Sequence, residues 1–265
     1  MPADTTNVLI LGDVIGQPGL RAVISSIKSL SRKYRADVVV VNGENADDGF
    51  GITSDIAGQL FRAGVDVVTT GNHVWHDDQV AQLLNREAHV LRPDNYPSGA
   101  PGTGVATVDR RVPPVHVVNL QGRIHMAPID CPFRAARDLV KRLKQVSPII
   151  IVDFHAESTE EKEALALYLD GDVSVLFGTH THVQTADERI LPKGTAYITD
   201  VGACLPPKSV IGFEPSISIR RSLTQIPIKN EVASAAATIH GLSVKIENSS
   251  GKALSVERIR YQSLV

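Results

Sequence analysis

The chain has 265 residues, of which 43% are hydrophobic, and a formal net charge of −2, so it can bury a substantial core and offers no general attraction to DNA or to anionic lipid. Its two cysteines, Cys131 and Cys204, form no C-x-x-C pattern, which argues against a thiolate zinc site or a disulfide framework and favours a reducing cytoplasm. The sequence shows neither a signal-peptide pattern nor an apolar run near the roughly 20 residues that cross a bilayer, so we expect a cytoplasmic protein without a membrane partner.

The first part of the chain alternates short apolar runs with amphipathic patterns. Residues 8–11, 38–41 and 65–70 predict three buried strands. Helices are predicted between them: residues 20–30 carry apolar side chains at helical spacing, and a second helix begins with Ser54 as its cap. Strand, helix and strand in this order require crossover connections, so we expect a parallel sheet covered by helices.

Polar residues follow the end of each of these strands. Asp13 comes after the first strand, Glu44 and Asn45 after the second, and Asn72 and His73 after the third. Each residue alone has another interpretation, since Asp and Asn commonly cap helices or form turns. The carboxyl ends of parallel strands, however, meet at the edge where α/β sheets bind their ligands. We therefore expect these five side chains to form one site.

The remainder of the chain predicts a second sheet and its helices. Strands are predicted at residues 105–108, 115–120, 149–152, 173–177 and 196–199, and helices at residues 133–143 and 159–169. Residues 91–104 predict an irregular connection, and residues 202–216 a loop. Antiparallel strands are predicted at residues 233–239, 242–246 and 254–259, with turns at 240–241 and 249–251. Without a repeat or a long linker, we expect a single domain over residues 1–265.

Two histidines, His180 and His182, follow the predicted strand at residues 173–177, and His155 follows the strand before it. In an extended chain, residues two apart project to the same side with Cα atoms roughly 6.5 Å apart. That spacing suits a pair of metal ions, which are typically about 3.5–4 Å apart. A hydrogen-bonded or solvated histidine pair without metal is the alternative.

The candidate residues are nitrogen and oxygen donors without a thiolate. They are Asp13, Glu44, Asn45, Asn72, His155, His180 and His182, with His73 beside them. Such donors suit a pair of Fe, Mn or Zn ions. Two divalent ions and two carboxylates leave about two positive charges for a phosphate ester and a bound hydroxide. We expect Glu44 to bridge the ions, and His73 to contact the phosphate and protonate the leaving oxygen.

Five motifs carry a resemblance to a known family. They are Gly12-Asp13, Asn42-Gly43-Glu44-Asn45, Gly71-Asn72-His73, Asp153-Phe154-His155-Ala156-Glu157 and Gly178-Thr179-His180-Thr181-His182-Val183-Gln184-Thr185. The set resembles the calcineurin-like metallophosphoesterase superfamily and, more closely, the bacterial YmdB-like family of dinuclear phosphodiesterases. The usual Asp-x-His of the superfamily has Ile15 in place of histidine here, and Glu44 replaces its bridging Asp. Both changes match the YmdB-like pattern.

The resemblance implies an α/β fold, a four-layer α/β/β/α sandwich. It also implies hydrolysis of cyclic nucleotides, first among them 2′,3′-cyclic nucleotides, by attack of a metal-bound hydroxide. One ion would be held by Asp13, Glu44, Asn45 and His182, and the other by Glu44, Asn72, His155 and His180. Short RNA as a substrate, a signalling or RNA-related role, and a homo-oligomer stay open.

Other interpretations compete with this one. The same site could serve a phosphomonoesterase, or a regulatory protein that binds metal or nucleotide with incidental hydrolysis. His76 is a weaker site candidate because it lies close to His73, whereas the remaining histidines lack a motif partner. The glycines near the first strand do not have the G-x-G-x-x-G spacing of a dinucleotide-binding turn, and neither cysteine has the surroundings of a nucleophile.

Overall fold

A computed structural model describes residues 4–263, which form a mixed α/β fold with two main sheets. The strands are β1 Thr5–Leu11, β2 Asp13–Val14, β3 Val38–Asn42, β4 Val67–Thr69, β5 Val105–Val108, β6 Val115–Gln121, β7 Ile149–His155, β8 Val175–Thr179, β9 Arg189–Ile190, β10 Ala196–Ile198, β11 Ala203–Cys204, β12 Thr238–Glu247 and β13 Ala253–Gln262. The helices are α1 Gly16–Tyr34, α2 Ser54–Ala63, α3 Val80–Arg86, α4 Pro132–Leu143, α5 Thr159–Tyr168 and α6 Pro215–Thr224.

The first sheet has the strand order β13-β12-β1-β3-β4. β1 runs parallel to β3, and β3 to β4, while β12 runs antiparallel to β1. α1 and α2 provide the crossovers between the parallel strands, as the sequence predicts. Each of these helices ends at a left-handed residue, Arg35 or Gly64, shortly before the next strand begins.

The second sheet has the strand order β5-β6-β7-β8-β10-β9. Its inner strands β6, β7, β8 and β10 are parallel, and β5 and β9 pair antiparallel at the two edges. Every residue of β6, β7 and β8 is buried, which is typical of parallel strands covered on both faces. The two-residue strands β2 and β11 pair with each other beyond the end of β1.

Three hydrophobic clusters fill the space between sheets and helices. Leu9 and Leu11 of β1 pack against α1 and α2, whereas Val8 and Ile10 face the second sheet. A third cluster joins the opposite face of the second sheet to α4 and α5. The division follows from the strand period of two, because successive side chains point to opposite faces.

Two local predictions are wrong. The cap of α2 is Thr53, whose hydroxyl accepts a hydrogen bond from the backbone N–H of Ile56 at 3.4 Å, rather than Ser54. The predicted strand at 233–239 and turn at 240–241 are replaced by the continuous strand β12, which begins at Thr238. Gly241 is needed there for close packing, since a Cβ at this position would lie 2.3 Å from the carbonyl oxygen of Ile10 on β1.

The predicted loop at residues 202–216 is also only partly correct. β11 and the first residues of α6 lie within it, with Pro215 in the first turn of the helix. A two-residue strand and a helix that buries no residue leave no hydrophobic period in the sequence. Within residues 4–263, none of the helices is both long and apolar enough to cross a membrane.

Candidate metal centre

The predicted site residues come together where strands of both sheets end. Glu44 and Asn45 follow β3, and Asn72 and His73 follow β4, in the first sheet. From the second sheet come His155 at the end of β7 and His180 and His182 after β8, while Asp13 begins β2. All eight predicted residues therefore lie at carboxyl ends of strands, where the sequence placed them.

One group of donor atoms surrounds Nε2 of His155. The Asn72 Oδ1 atom lies 2.9 Å away, the Glu44 Oε1 atom 3.1 Å and the His180 Nδ1 atom 3.1 Å. Ligand atoms of Glu44, His155 and His180 all lie within 4.8 Å of one another. Two imidazoles, a carboxylate and an amide oxygen that converge in this way match the donors of a divalent transition-metal ion.

A second group joins Asp13, Asn45 and His182. Nδ2 of Asn45 lies 3.3 Å from Asp13 Oδ1 and 3.2 Å from His182 Nε2, and the last two atoms are 3.7 Å apart. As placed, the amide nitrogen of Asn45 faces this group, and a nitrogen that carries two protons cannot bind a metal. Rotation of the amide by a half turn exchanges it for the oxygen, after which the group offers three ligand atoms.

His73 lies between the two groups. Its Nδ1 atom is 3.0 Å from Glu44 Oε1 and 3.1 Å from Asn45 Oδ1, and its backbone N–H donates to Glu44 Oε2 at 3.3 Å. The side chain is 33% exposed and lines the pocket above the buried carboxylate. The ring is thus held through Nδ1, which leaves Nε2 for a ligand in the pocket.

Each of the three clustered histidines is oriented by a partner on its other nitrogen. Nδ1 of His155 is 2.9 Å from the hydroxyl oxygen of Thr179, Nε2 of His180 is 2.9 Å from a carboxylate oxygen of Glu157, and Nδ1 of His182 is 3.0 Å from the carbonyl oxygen of Ile211. A neutral imidazole that donates through one nitrogen presents a lone pair on the other. Such partners are typical of histidines that bind metal.

Several ionisable side chains of the site lie close together, and Glu44 and His155 among them are buried. Burial opposes charge on Glu44, but the imidazoles of His155 and His73 outweigh it and hold the pKa of this carboxyl below its usual range. Burial also lowers the pKa of His155, yet the Glu44 carboxylate beside it raises that pKa to about 9. Burial together with nearby His155 lowers the pKa of His180 to about 3. At neutral pH Glu44 is therefore a carboxylate and His180 a neutral imidazole, while His155 carries a proton that it would release on binding a metal ion through Nε2.

A buried network lies directly beneath His155. The Asp153 carboxylate accepts hydrogen bonds from Asn42 Nδ2 at 3.0 Å, from the hydroxyl of Thr179 at 2.7 Å and from the hydroxyl of Thr69. Because the Thr179 hydroxyl donates to Asp153, its oxygen is left to accept from Nδ1 of His155. The network therefore fixes the tautomer that exposes Nε2 to the donor group.

A buried ion pair supports the segment that carries the other two histidines. Nζ of Lys162, on α5, lies 2.9 Å from Asp200 Oδ2, and both side chains are at most 1% exposed. The same oxygen accepts from the backbone N–H of Thr181 at 3.1 Å and from its hydroxyl at 2.8 Å. Lys162 is not among the residues predicted from the sequence, although it lies with Leu165 and Ala166 on the buried face of α5.

The extended geometry expected for His180 and His182 is wrong. β8 ends at Thr179, and the two histidines have φ angles of 99° and 63°, in a region that residues other than glycine rarely adopt. The turn this creates aims one imidazole at each donor group. Gly71 is a second local requirement, because a Cβ there would lie 2.2 Å from Glu44 Oε2.

The pocket above the donors has a volume of about 440 Å³. Besides the histidines it is lined by residues outside the predicted site, chiefly Phe50, Phe213, Arg221 and Asn230. The rings of Phe50 and Phe213 stack at 5.6 Å, and Phe50 meets the His73 ring edge-on at 5.0 Å. No local sequence signal marks these residues, since they reach the pocket from segments far apart in the chain.

The residues set aside in the sequence lie outside the two donor groups. His76 packs against Phe50 at 5.7 Å, and Nδ1 of His240 is hydrogen-bonded to the backbone at 2.9 Å. Cys204 is buried, which raises its thiol pKa to about 12. Cys131 is partly exposed at the cap of α4.

The chain is similar to known proteins over almost its whole length. A family model described as YmdB-like protein matches residues 9–259. A protein of Bacillus subtilis (strain 168) named 2′,3′-cyclic-nucleotide 2′-phosphodiesterase is 42% identical over 252 residues, which cover 95% of this chain and 96% of that protein.

Two crystal structures share the fold over nearly their whole length. A phosphatase of Mycoplasma pneumoniae gives a TM-score of 0.92 at 36% identity, over 99% of this chain and 95% of that one. A hypothetical protein from Thermus thermophilus gives a TM-score of 0.91 at 40% identity, over 97% of this chain and 100% of that one. The family match and these relatives span almost the whole sequence, and the chain belongs to the YmdB-like family.

Proposed function

We propose that this protein hydrolyses 2′,3′-cyclic nucleotides at the 2′ ester bond with two divalent metal ions, leaving a 3′-phosphate. Family membership and relatives named phosphodiesterase or phosphatase make the chain a hydrolase of phosphoric esters. The relative that is 42% identical bears the name of this reaction, which supports the choice of substrate and bond.

One observation carries the metal assignment. Three histidines each bind a protein acceptor through one nitrogen and turn the other toward a group of oxygen donors. If the histidines only formed hydrogen bonds with one another, there would be no reason for all three to have a protein acceptor on the nitrogen that faces away from the donor group. The donor set contains no thiolate, so Fe or Mn fits best and Zn is also accommodated.

The chain's residues divide between two ions. Glu44, Asn72, His155 and His180 would hold one ion, and Asp13, Asn45 and His182, with Glu44 shared, would hold the other. Asn45 joins through its amide oxygen after the half turn described above. When bound, the ions neutralise the phosphate oxygens and lower the pKa of a bound water toward about 7.

His73 is the proposed general acid. Glu44 Oε1 lies 3.0 Å from its Nδ1 atom, a contact that the half turn of the Asn45 amide leaves in place, and its Nε2 atom is left to donate a proton to the departing 2′ oxygen. An imidazole suits this task because its usual pKa lies near neutrality. The ring of Phe50 against His73 limits its rotation.

We also propose a layer order for the fold and a location in the cell. The three hydrophobic clusters support four layers in the order α/β/β/α, as one domain over residues 1–265. A cytoplasmic location agrees with the two unpaired cysteines.

Product analysis tests the reaction. The metal-loaded protein should convert adenosine 2′,3′-cyclic phosphate to adenosine 3′-phosphate, and should hydrolyse bis(p-nitrophenyl) phosphate faster than p-nitrophenyl phosphate. Elemental analysis of anaerobically purified protein should find two ions per chain. Equal or faster turnover of the monoester would instead favour a phosphomonoesterase, and release of the 2′-phosphate would overturn the assigned bond.

A further inference from the structure

A groove continues from the pocket above the donor groups. It has a volume of about 470 Å³, within the usual range for small-molecule sites of about 300–1,000 Å³. The pocket and the groove share four lining residues, Ile211, Phe213, Arg221 and Asn230. The two cavities are therefore adjacent, so a ligand with its reacting phosphate in the pocket could extend past these residues into the groove.

Arg221 is the charged residue among those that line the groove. It is half-buried on α6, and within residues 4–263 its guanidinium has neither an ion-pair partner nor a side-chain hydrogen bond. Other arginines do pair: Arg110 with Asp66, and Arg258 with Glu188. A guanidinium binds phosphate oxygens through two parallel hydrogen bonds, so an unpaired one beside a phosphoesterase pocket is suited to an anionic group of the substrate.

Asn230 provides a second, independent sign of a ligand. Its Oδ1 atom is buried and has no hydrogen-bond partner among the described residues. A buried acceptor without a donor costs about 1–3 kcal/mol. Because Asn230 lines both the pocket and the groove, a hydroxyl or amino group of a bound nucleotide could supply that donor.

The rest of the groove is largely apolar. Val210, Ile211, Ile226 and Pro227 line it beside Phe213, and three of these five are large apolar side chains that are 41–53% exposed in the protein alone. The mixture of apolar wall, single cation and unpaired amide oxygen matches a nucleoside that bears a phosphate better than it matches a phosphate alone.

We propose that the groove is a second subsite, in which Arg221 binds a phosphate on the 5′ side of the nucleoside whose cyclic phosphate reacts. This rests on the proposed function of the pocket and names its preferred substrates as those with a 5′-phosphate. That phosphate could be a monoester on a mononucleotide or the diester that links a preceding nucleotide, as at the 3′ end of an oligoribonucleotide.

Steady-state kinetics on three substrates tests the subsite. They are adenosine 2′,3′-cyclic phosphate, its 5′-phosphorylated form, and the dinucleotide ApA with a terminal 2′,3′-cyclic phosphate. We expect the 5′-phosphate to lower KM about tenfold, which corresponds to one charge-assisted contact, and the advantage to shrink as salt is added. A lower KM for the dinucleotide alone would show that the subsite binds the phosphodiester of an oligonucleotide. A lower KM for the 5′-monoester alone would show that it binds the phosphate of a mononucleotide.

Arg221→Gln should bring the ratio of the KM values with and without the 5′-phosphate to about one. Arg220→Gln removes the same charge from the exposed neighbouring position of α6, outside the groove lining, and should leave that ratio unchanged. An equal KM for all three substrates in the unaltered protein would overturn the subsite. An unchanged ratio of KM values in Arg221→Gln would also overturn it, because Arg221 would then not bind the 5′-phosphate.

Calorimetric binding separates the subsite from the proposed reaction. Adenosine 3′,5′-bisphosphate should bind about tenfold more tightly than adenosine 3′-phosphate, and Arg221→Gln should abolish the difference. Absence of any turnover with this difference intact would refute the reaction and keep the subsite. Turnover with equal binding of the two ligands would refute the subsite and keep the reaction.

Discussion

The floor and the rim of the pocket differ in how deeply their residues are buried. The floor consists of Glu44, Asp153, His155, Lys162 and Asp200, whose side chains are fully buried, and each of them makes at least one hydrogen bond or ion pair. The rim consists of residues 215–230, which include α6 and contain no buried residue.

This difference in burial shows which side chains are held in accurate positions and which are not. Ligand atoms must be fixed within a fraction of an ångström to bind an ion, and buried networks on rigid strands provide that accuracy. Recognition of a substrate needs only exposed groups of suitable charge and shape, which an exposed helix can present. Changes in the floor should therefore alter metal binding and stability, whereas changes in the rim should alter substrate preference.

The largest effect is expected from Glu44→Gln. Removal of the shared negative charge should release both ions and reduce kcat/KM by on the order of 10³-fold or more. Elemental analysis and turnover of adenosine 2′,3′-cyclic phosphate measure the two effects. Asp48→Asn is the control, because it removes a carboxylate from an exposed residue nearby, at a φ of 45° that asparagine tolerates. Two retained ions in Glu44→Gln would contradict the bridging role.

The second largest effect is expected from Lys162→Met, on the free energy of unfolding. It leaves the Asp200 carboxylate buried without its cation, which typically costs about 3–5 kcal/mol, and it loosens the support beneath Thr181. The free energy of unfolding in urea measures the loss, and Asp200→Asn in the same chain should restore part of it. Lys144→Met breaks the exposed pair with Asp172 and should cost below about 1 kcal/mol. Equal losses for the two lysines would remove the distinction between a buried floor and the surface.

Thr179→Val tests the orientation of His155. Valine has the shape of threonine but neither accepts from Nδ1 of His155 nor donates to Asp153, so the ring is no longer held in its tautomer. Affinity for Mn²⁺, measured by calorimetry, should fall by about 10–100-fold. Thr179→Ser keeps the hydroxyl and should bind Mn²⁺ nearly as the unaltered chain does. Equal affinities of the two variants would show that the hydroxyl does not act on the metal site.

The candidate donor residues could be found in the sequence because their signals are local. Asp13, Glu44 and Asn72 each follow an apolar run, and parallel strands bring such positions together without any knowledge of tertiary contacts. Lys162 escaped notice because a lysine on a helix is ordinarily a surface residue, and its partner is 38 residues away. The left-handed turn at His180 and His182 depends on tertiary partners such as the Ile211 carbonyl, which no local pattern shows.

The rim could not be predicted, for a physical reason. Hydrophobic periodicity marks helices that pack one face on a core, and α6 buries no residue. Its serines and isoleucines are weak helix formers, so neither pattern nor propensity indicated it. The groove and Arg221 were missed together with the helix that carries them.

The smallest effect is expected from Leu223→Ala on α6. Leu223 is 79% exposed, so the free energy of unfolding should change by less than about 0.5 kcal/mol. The same substitution at Leu30, which is 1% exposed on α1, should cost about 2–5 kcal/mol. Urea unfolding of both variants at two protein concentrations checks the contrast. A loss above about 1 kcal/mol for Leu223→Ala that changes on dilution would mean that a second copy of the chain covers α6, and the rim would then be part of an interface rather than a free surface for substrate.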